Sequence, residues 1–332
     1  MGFGIVGQSL AKLLLSRSYD LYSVYGINPR IVACIDRGGY AICSSGLDLE
    51  KLLSAKRANG TVKTYAKKEF INSTKEIIEK LDAELIIELT PTNLSDGEPG
   101  LSNITSAMKA GKHVITVNKG PLALAIPSLI ELAEYNNVVL RFSGTVGGGT
   151  PILEFAKRCL NGDNLLSFRG ILNGTTNFIL SKMEEEFSFR KALDYAKKNG
   201  YVEANASLDI DGYDAAAKLV IMANWVMGMK ATMKDVAITG IRKIELSEVE
   251  SANRRKKAIK LIAACENGSL SVTPREVDKR DPICVNGTLN AVTFTSEHTG
   301  EHTIIGKGAG GIETATAVLR DLIDIKNLVF KR

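Results

Sequence analysis

GFGIVGQSLAKLLLS, residues 2–16, decides the fold. Glycines at 2, 4 and 7 come first, a helix pattern follows from Gln8, and an apolar run, Ile31 to Ile35, then closes on Asp36. This is the order of a dinucleotide-binding unit. Glycines let backbone N–H groups approach a pyrophosphate at a helix N-terminus, and an acidic residue after the second strand takes the adenine ribose. The expected cofactor-contacting turn is Gly2, Phe3, Gly4, Ile5, Val6 and Gly7, with Asp36 at the ribose. Asp36 alone favours NAD through the ribose hydroxyls, whereas the adjacent Arg37 can pair with a 2′-phosphate. NADP is therefore the expected cofactor, with NAD as the alternative. The first strand of such a unit runs about five or six apolar residues into the turn. Only Met1 precedes Gly2 here, so a few apolar residues are expected upstream of Met1.

Further along, LIIEL (85–89) and HVITV (113–117) are short buried strands, each followed by a loop and a helix pattern. Ligand-contacting residues in such sheets come from loops at the carboxyl ends of the strands. That singles out Thr90-Pro91-Thr92 and Asn118-Lys119-Gly120-Pro121, although Lys119 also reads as a solvated loop lysine. From residue 142 the character changes. FSGTVGGGTP (142–151) carries three consecutive glycines, which imply close approach of a backbone, a ligand or an ion. A strand, FRGIL (168–172), then delivers NGTTN (173–177) to a helix start, which suits either an anionic group or a plain capping loop. GKGAGG (306–311) precedes the last helix.

Residues 209–218, DIDGYDAAAK, place three carboxylates and a lysine within about two and a half helical turns. Asp211 is the expected N-cap of a helix beginning near Gly212. Asp214 and Lys218 stand four apart and share a face. The pair reads either as a surface ion pair or as functional groups. The helix continues LVIMANWVM, apolar nearly all round, and a lysine at the start of a buried helix is costly unless something uses it.

The bulk numbers fit this picture. A chain of 332 residues, 45% hydrophobic and 24% charged, suits an ordinary two-domain globular protein. The net charge is +5, and the dense basic run Arg254-Arg255-Lys256-Lys257, without interleaved aromatics, reads as a solvated helix face rather than a nucleic-acid site. No membrane span or secretory signal is visible, so a cytoplasmic protein is expected. Five scattered cysteines without CxxC spacing indicate neither zinc nor a disulfide framework. Three histidines lack the partners of a nucleophilic triad, which leaves acid/base chemistry to lysines and carboxylates.

With these pieces in order, the chain resembles the homoserine dehydrogenase family over nearly its whole length. The resemblance is carried by GFGIVG (2–7), TPT (90–92) with GEPG (97–100), NKGPLA (118–123), GTVGGGTP (144–151), GILNGTTNFIL (170–180), YVEA (201–204), DIDGYDAAAKL (209–219) and GKGAG (306–310). It implies NAD(P)-dependent interconversion of L-homoserine and L-aspartate 4-semialdehyde, in threonine and methionine biosynthesis. The implied fold is α/β. A Rossmann-type doubly wound parallel sheet (1–140, completed by the C-terminal helix 309–332) is joined to a mixed-sheet α+β catalytic and dimerisation domain (141–308). A homodimer of the short form, without a C-terminal regulatory domain, is expected.

By the same resemblance Lys218 is the acid/base, held by Asp214, with Lys119 as a further catalytic lysine and cationic neighbour. A free lysine titrates near about 10.4, so a base at neutral pH needs burial or such a neighbour. Glu203 and Tyr201 would bind the substrate ammonium, Gly174 and Thr175 its carboxylate, and Asp209 matches a substrate-site carboxylate. Thr90, Lys119 and Gly310 match nucleotide-contacting positions. Val146, Gly148 and Thr150 match carbonyls that hold a sodium ion in some relatives, where Ser143 replaces a common glutamate. Asn205-Ala206 replaces the usual Asp-Pro, and Val117 a common alanine. Two other readings fit the residues: a dehydrogenase of another small amino-acid alcohol, and a non-catalytic NAD(P)-binding sensor.

Overall fold

A computed structural model describes residues 1–63, 65, 73–200 and 206–329. The chain forms two units, Met1–Thr145 with Gly310–Arg332, and Val146–Ala309.

In the first unit the glycine turn leads into helix Ile5–Ser16, whose buried residues Gly7, Leu10, Ala11 and Leu14 recur at helical spacing along one face. The strands are β1 (Ala33–Asp36), β2 (Gly39–Ile42), β3 (Leu85–Glu88), β4 (His113–Thr116) and β5 (Leu140–Arg141). β3, β4 and β5 pair in parallel, in that order, and helices Gly100–Lys109 and Lys119–Tyr135 make the crossovers. β1 instead pairs antiparallel with β2 through the turn at Arg37-Gly38, a hairpin the sequence reading did not contain. Met1 and Gly2 join the two ladders: Met1 N donates to Ile87 O at 2.9 Å, Leu89 N to Met1 O at 2.8 Å, and Gly2 N to Ile35 O at 2.8 Å. Gly2 adopts φ +84°, and a Cβ there would lie 2.5 Å from Leu89 O, so only glycine fits.

Helix Gly311–Val329 completes this unit. Ala315, Val318, Leu319 and Ile325 share a core with Leu10, Leu14, Leu21, Ile27 and Ile115. Its buried Asp321 accepts from Ser143 N at 2.9 Å and Ser143 Oγ at 2.7 Å, which fastens the end of the parallel sheet to the helix.

The second unit is built on a six-stranded sheet: β6 (Leu165–Ile171), β7 (Val236–Ile238), β8 (Lys257–Glu266), β9 (Ser269–Asp278), β10 (Leu289–Ser296) and β11 (Gly300–Lys307). The order is β11-β10-β6-β8-β9-β7, antiparallel except for β7 with β9. Helices Gly174–Glu184 and Tyr213–Met227 pack on β8, and the latter buries every residue from Ala215 to Asn224.

Two local expectations are corrected. Asp211 does not cap helix Tyr213–Met227; the N-cap is Gly212 at φ +89°, and Asp211 instead forms a two-bond pair with Arg242 at 2.8 and 2.9 Å. The basic run is not one helix face. Helix Leu246–Arg254 ends at its first residue, Lys256 turns at φ +58°, and Lys257 opens β8, so Arg255 and Lys257 reach Glu276 on β9.

Gly212→Ala places a Cβ 3.1 Å from Ile238 Cγ2 at a left-handed backbone position. It is expected to destabilise the protein by about 1–2 kcal/mol in denaturant unfolding. Unchanged stability would contradict the strained-cap assignment.

Candidate active site

The second unit gathers one cluster at the carboxyl end of β6. The strand runs out at Leu172, and Asn173 caps the next helix, its Oδ1 accepting from Thr176 N at 2.8 Å. The other end of that amide bridges two carboxylates: Nδ2 donates to Asp209 Oδ1 at 2.6 Å and to Asp214 Oδ2 at 2.9 Å. Lys218 Nζ lies 2.7 Å from Asp214 Oδ2 and donates to Leu172 O at 2.7 Å. The lysine is 7% exposed. Among the described residues two acceptors stand around a nitrogen that as an ammonium has three N–H bonds, which leaves one direction for a further partner. Burial first, and then the neighbouring Asp214, push Asp209 above the usual carboxylate range, opposed by the Asn173 hydrogen bond, Lys218 and Thr175.

Gly174 and Thr175 open the helix beside this cluster. A Cβ on Gly174 would come within 2.6 Å of Thr288 O, so packing alone requires glycine there. Tyr201 and Glu203, and with them Asn205, lie outside the described residues. Asn173 was quoted in the sequence only as part of a polar loop; its bridging role depends on contacts 36 and 41 residues away.

In the first unit the expected cofactor residues surround the start of helix Ile5–Ser16. Phe3 is buried under it, Gly7 would meet Gly2 O at 2.8 Å if it carried a Cβ, and Val6 is half-buried. Gly4 differs. It is the N-cap, and a Cβ there would meet nothing within 4 Å, so nothing among the described residues accounts for its bareness. Ile5 beside it is 77% exposed. A helix start with a bare glycine, an exposed first residue and no side-chain cap among the described residues fits a pyrophosphate. Gly310, at φ +139°, leads into helix Gly311–Val329, and a Cβ on Gly311 would lie 2.5 Å from Ile5 Cγ2, so the two glycine-rich starts meet. Thr90 follows β3, and Lys119 is the first residue of helix Lys119–Tyr135.

Asp36 is less available than its position suggests. Its side chain is 6% exposed and accepts from Lys56 Nζ at 2.6 Å, Thr61 Oγ1 at 2.9 Å, Gly38 N at 2.9 Å and Val62 N at 3.1 Å. Burial opposes its ionisation, but Lys56, Thr61 and Gly38 together hold it below the usual carboxylate range. Arg37, one residue on, is exposed.

Packing accounts for two glycines of the triplet: a Cβ on Gly147 would lie 2.5 Å from Ile152 Cδ1, and one on Gly148 2.9 Å from Gly308 O. The carbonyl of Thr150 already accepts from Ile152 N at 2.8 Å, Val146 and Gly148 offer neutral carbonyls only, and Ser143 gives its hydroxyl to Asp321.

Comparison with known proteins agrees with the geometry. Residues 2–143 match the family described as "Homoserine dehydrogenase, NAD binding domain", and residues 151–323 match "Homoserine dehydrogenase". The homoserine dehydrogenase of Methanocaldococcus jannaschii is 44% identical over 98% of this chain and 97% of its own. The NAD(+)-dependent homoserine dehydrogenase of Pseudomonas canavaninivorans is 38% identical over 98% and 94%. A hyperthermophilic archaeal homoserine dehydrogenase in complex with NADPH superposes with a TM-score of 0.85 at 29% identity, over 98% of this chain and 95% of that one. With two family domains in order and relatives matched end to end, the chain belongs to the homoserine dehydrogenase family.

Proposed function

We propose that this enzyme interconverts L-homoserine and L-aspartate 4-semialdehyde with NADP, using Lys218 to move the proton at the terminal oxygen. The observation that carries the assignment is the placement of Lys218 Nζ between Leu172 O and Asp214, its two acceptors among the described residues. In the oxidative direction Lys218, as the neutral amine, takes the hydroxyl proton on its lone pair, and in the reductive direction the ammonium returns one, with Asp214 holding the nitrogen in place. The bound nicotinamide supplies the hydride acceptor or donor at the adjacent carbon. Asn173 fixes Asp214 and Asp209 together, so Asp209 meets the substrate with its charge partly restrained. Gly174 and Thr175, at a helix start, suit the substrate carboxylate. Glu203 and Tyr201 complete the reading as partners of the ammonium, on the strength of the family motif. Lys119 serves as the second lysine of the site and as a cofactor contact, on the same basis.

The NADP reading rests on Asp36 and Arg37. A free carboxylate would take the ribose hydroxyls and repel a 2′-phosphate; here the charge is met by Lys56, and the exposed Arg37 stands beside it. The family resemblance supports a cytoplasmic homodimer. Among the described residues no helix is long and apolar enough to cross a membrane.

Lys218→Ala is expected to lower kcat by at least about 10²-fold while leaving NADPH affinity nearly unchanged. A loss confined to KM would refute the proton-transfer role. Arg37→Ala should narrow the gap between NADP and NAD dissociation constants, and equal constants in the unaltered protein would count against the preference. Asp209→Asn removes a charge that the folded state disfavours. Because the folded-state pKa is raised, stability is lost as pH climbs from the unfolded value through the folded one. The variant should therefore melt higher than the unaltered protein at pH 7, with the difference shrinking as pH falls, while kcat/KM for homoserine drops. A lower melting temperature at pH 7 would overturn the electrostatic account.

A further inference from the structure

Glu88 ends β3 and is fully buried, yet nothing in the proposed chemistry uses it. Its carboxylate is the root of a hydrogen-bond network confined to the first unit. Oε1 accepts from Thr90 N at 3.0 Å and also from the Thr90 hydroxyl, and Oε2 accepts from the buried Thr116 Oγ1 at 3.4 Å. Both hydroxyls thus direct their protons inward, and both take their next hydrogen bond from Asn118. Asn118 N donates to Thr116 Oγ1 at 3.1 Å, and Asn118 Nδ2 donates to Thr90 Oγ1 at 3.2 Å and to Pro91 O at 3.2 Å. Asn118 Oδ1 in turn accepts from Gly120 N at 3.0 Å, capping the helix that begins at Lys119. Apart from the branch from Asn118 Nδ2 to Pro91 O, the donors of this network point toward Glu88. A carboxylate, which accepts at both oxygens and donates at neither, is the group that sets this direction.

We infer that Glu88 is a positioning residue for the cofactor end of the site. It locks the Thr90-Pro91 loop to the Asn118-Lys119 helix start, and so fixes both residues that face the cofactor from the ends of β3 and β4. Because the Thr90 proton is committed to Glu88, a ligand group that meets Thr90 Oγ1 meets a lone pair and must itself be a donor. The surroundings leave the loops little freedom to find another arrangement. A Cβ on Gly120 would lie 2.1 Å from Asn93 O, and one on Gly100 2.5 Å from Asn118 Nδ2. The inference rests on the placement of Thr90 and Lys119 at the cofactor.

Glu88→Gln tests it. The amide is the same size but presents two N–H bonds on one side. Facing Thr90, the NH2 meets the donor N–H; facing Thr116, it displaces the hydroxyl proton that now points inward. The full-length variant is compared with the unaltered protein by NADPH fluorescence titration, steady-state kinetics and melting temperature. The NADPH dissociation constant is expected to rise and kcat to fall, each by about tenfold, while KM for homoserine stays within about twofold and the protein still melts cooperatively. Thr116→Val, which cuts only the Oε2 arm, should move the same two quantities by about threefold and serves if Glu88→Gln does not fold. Folded variants that keep NADPH affinity and kcat would overturn the inference. So would a fall in NADPH affinity and melting temperature together with a comparable rise in homoserine KM, which a merely structural role produces. The titration needs no turnover, so an unaltered protein that binds NADPH but does not turn over homoserine would sink the functional reading without touching this one.

Discussion

The amide of Asn173 is the interaction on which the second unit's chemistry depends. Two carboxylates so close in a poorly hydrated place repel one another, and the usual outcome is that one is neutralised or turned away. Here a single NH2 group donates to both, at 2.6 and 2.9 Å, and its carbonyl end is pinned by the helix it caps. Lys218 supplies the positive charge from the same helix as Asp214, one turn on, and is itself tied to the end of β6 through Leu172 O. A strand end, a helix start and a buried helix therefore converge on three charged groups that Asn173 and Leu172 O tie together.

The first unit obeys a different constraint, the close approach of backbone. Gly2 lies against Leu89, Gly7 against Gly2 and Gly311 against Ile5, so the glycine turn is closely packed at these three positions. Gly4 marks the open side. What makes this rigid shell chemically directional is the Glu88 network, in which one buried carboxylate orients two threonines and an asparagine. Both units thus use the same device: a helix-capping asparagine, Asn118 or Asn173, whose remaining amide atoms organise neighbouring polar groups.

Where a feature repeats at short range, the sequence made it legible. The spacing of Gly7, Leu10, Ala11 and Leu14 announces a helix buried along one side, and Asp214 with Lys218 announces a shared face, because both follow from 3.6 residues per turn. The parallel strands at 85–88 and 113–116 were visible as short apolar runs. What escaped was set by distant contacts. β2, with the sequence GYAI, has too little alternation to declare itself, and its antiparallel pairing emerges from the turn at Arg37-Gly38. The partners that Asp36 takes, Lys56, Thr61 and Val62, come from 20 to 26 residues downstream, so the crowding of its carboxylate is not visible in the sequence. Asp211 looked like a cap until Gly212 took that position and Arg242 took its carboxylate. The polarity of the Glu88 network had one visible signal, a charged residue closing the apolar strand LIIE.

The central claim, that the Lys218 amine itself carries the proton, is tested most directly by chemical rescue. In the Lys218→Ala protein, methylamine, ethylamine or another small primary amine is added to the homoserine oxidation assay at fixed pH. The account predicts a rate that climbs with the concentration of free amine and, across the series, with its basicity, since a diffusible base would then occupy the space between Leu172 O and Asp214. A folded, NADPH-binding variant whose residual rate ignores every amine would contradict it.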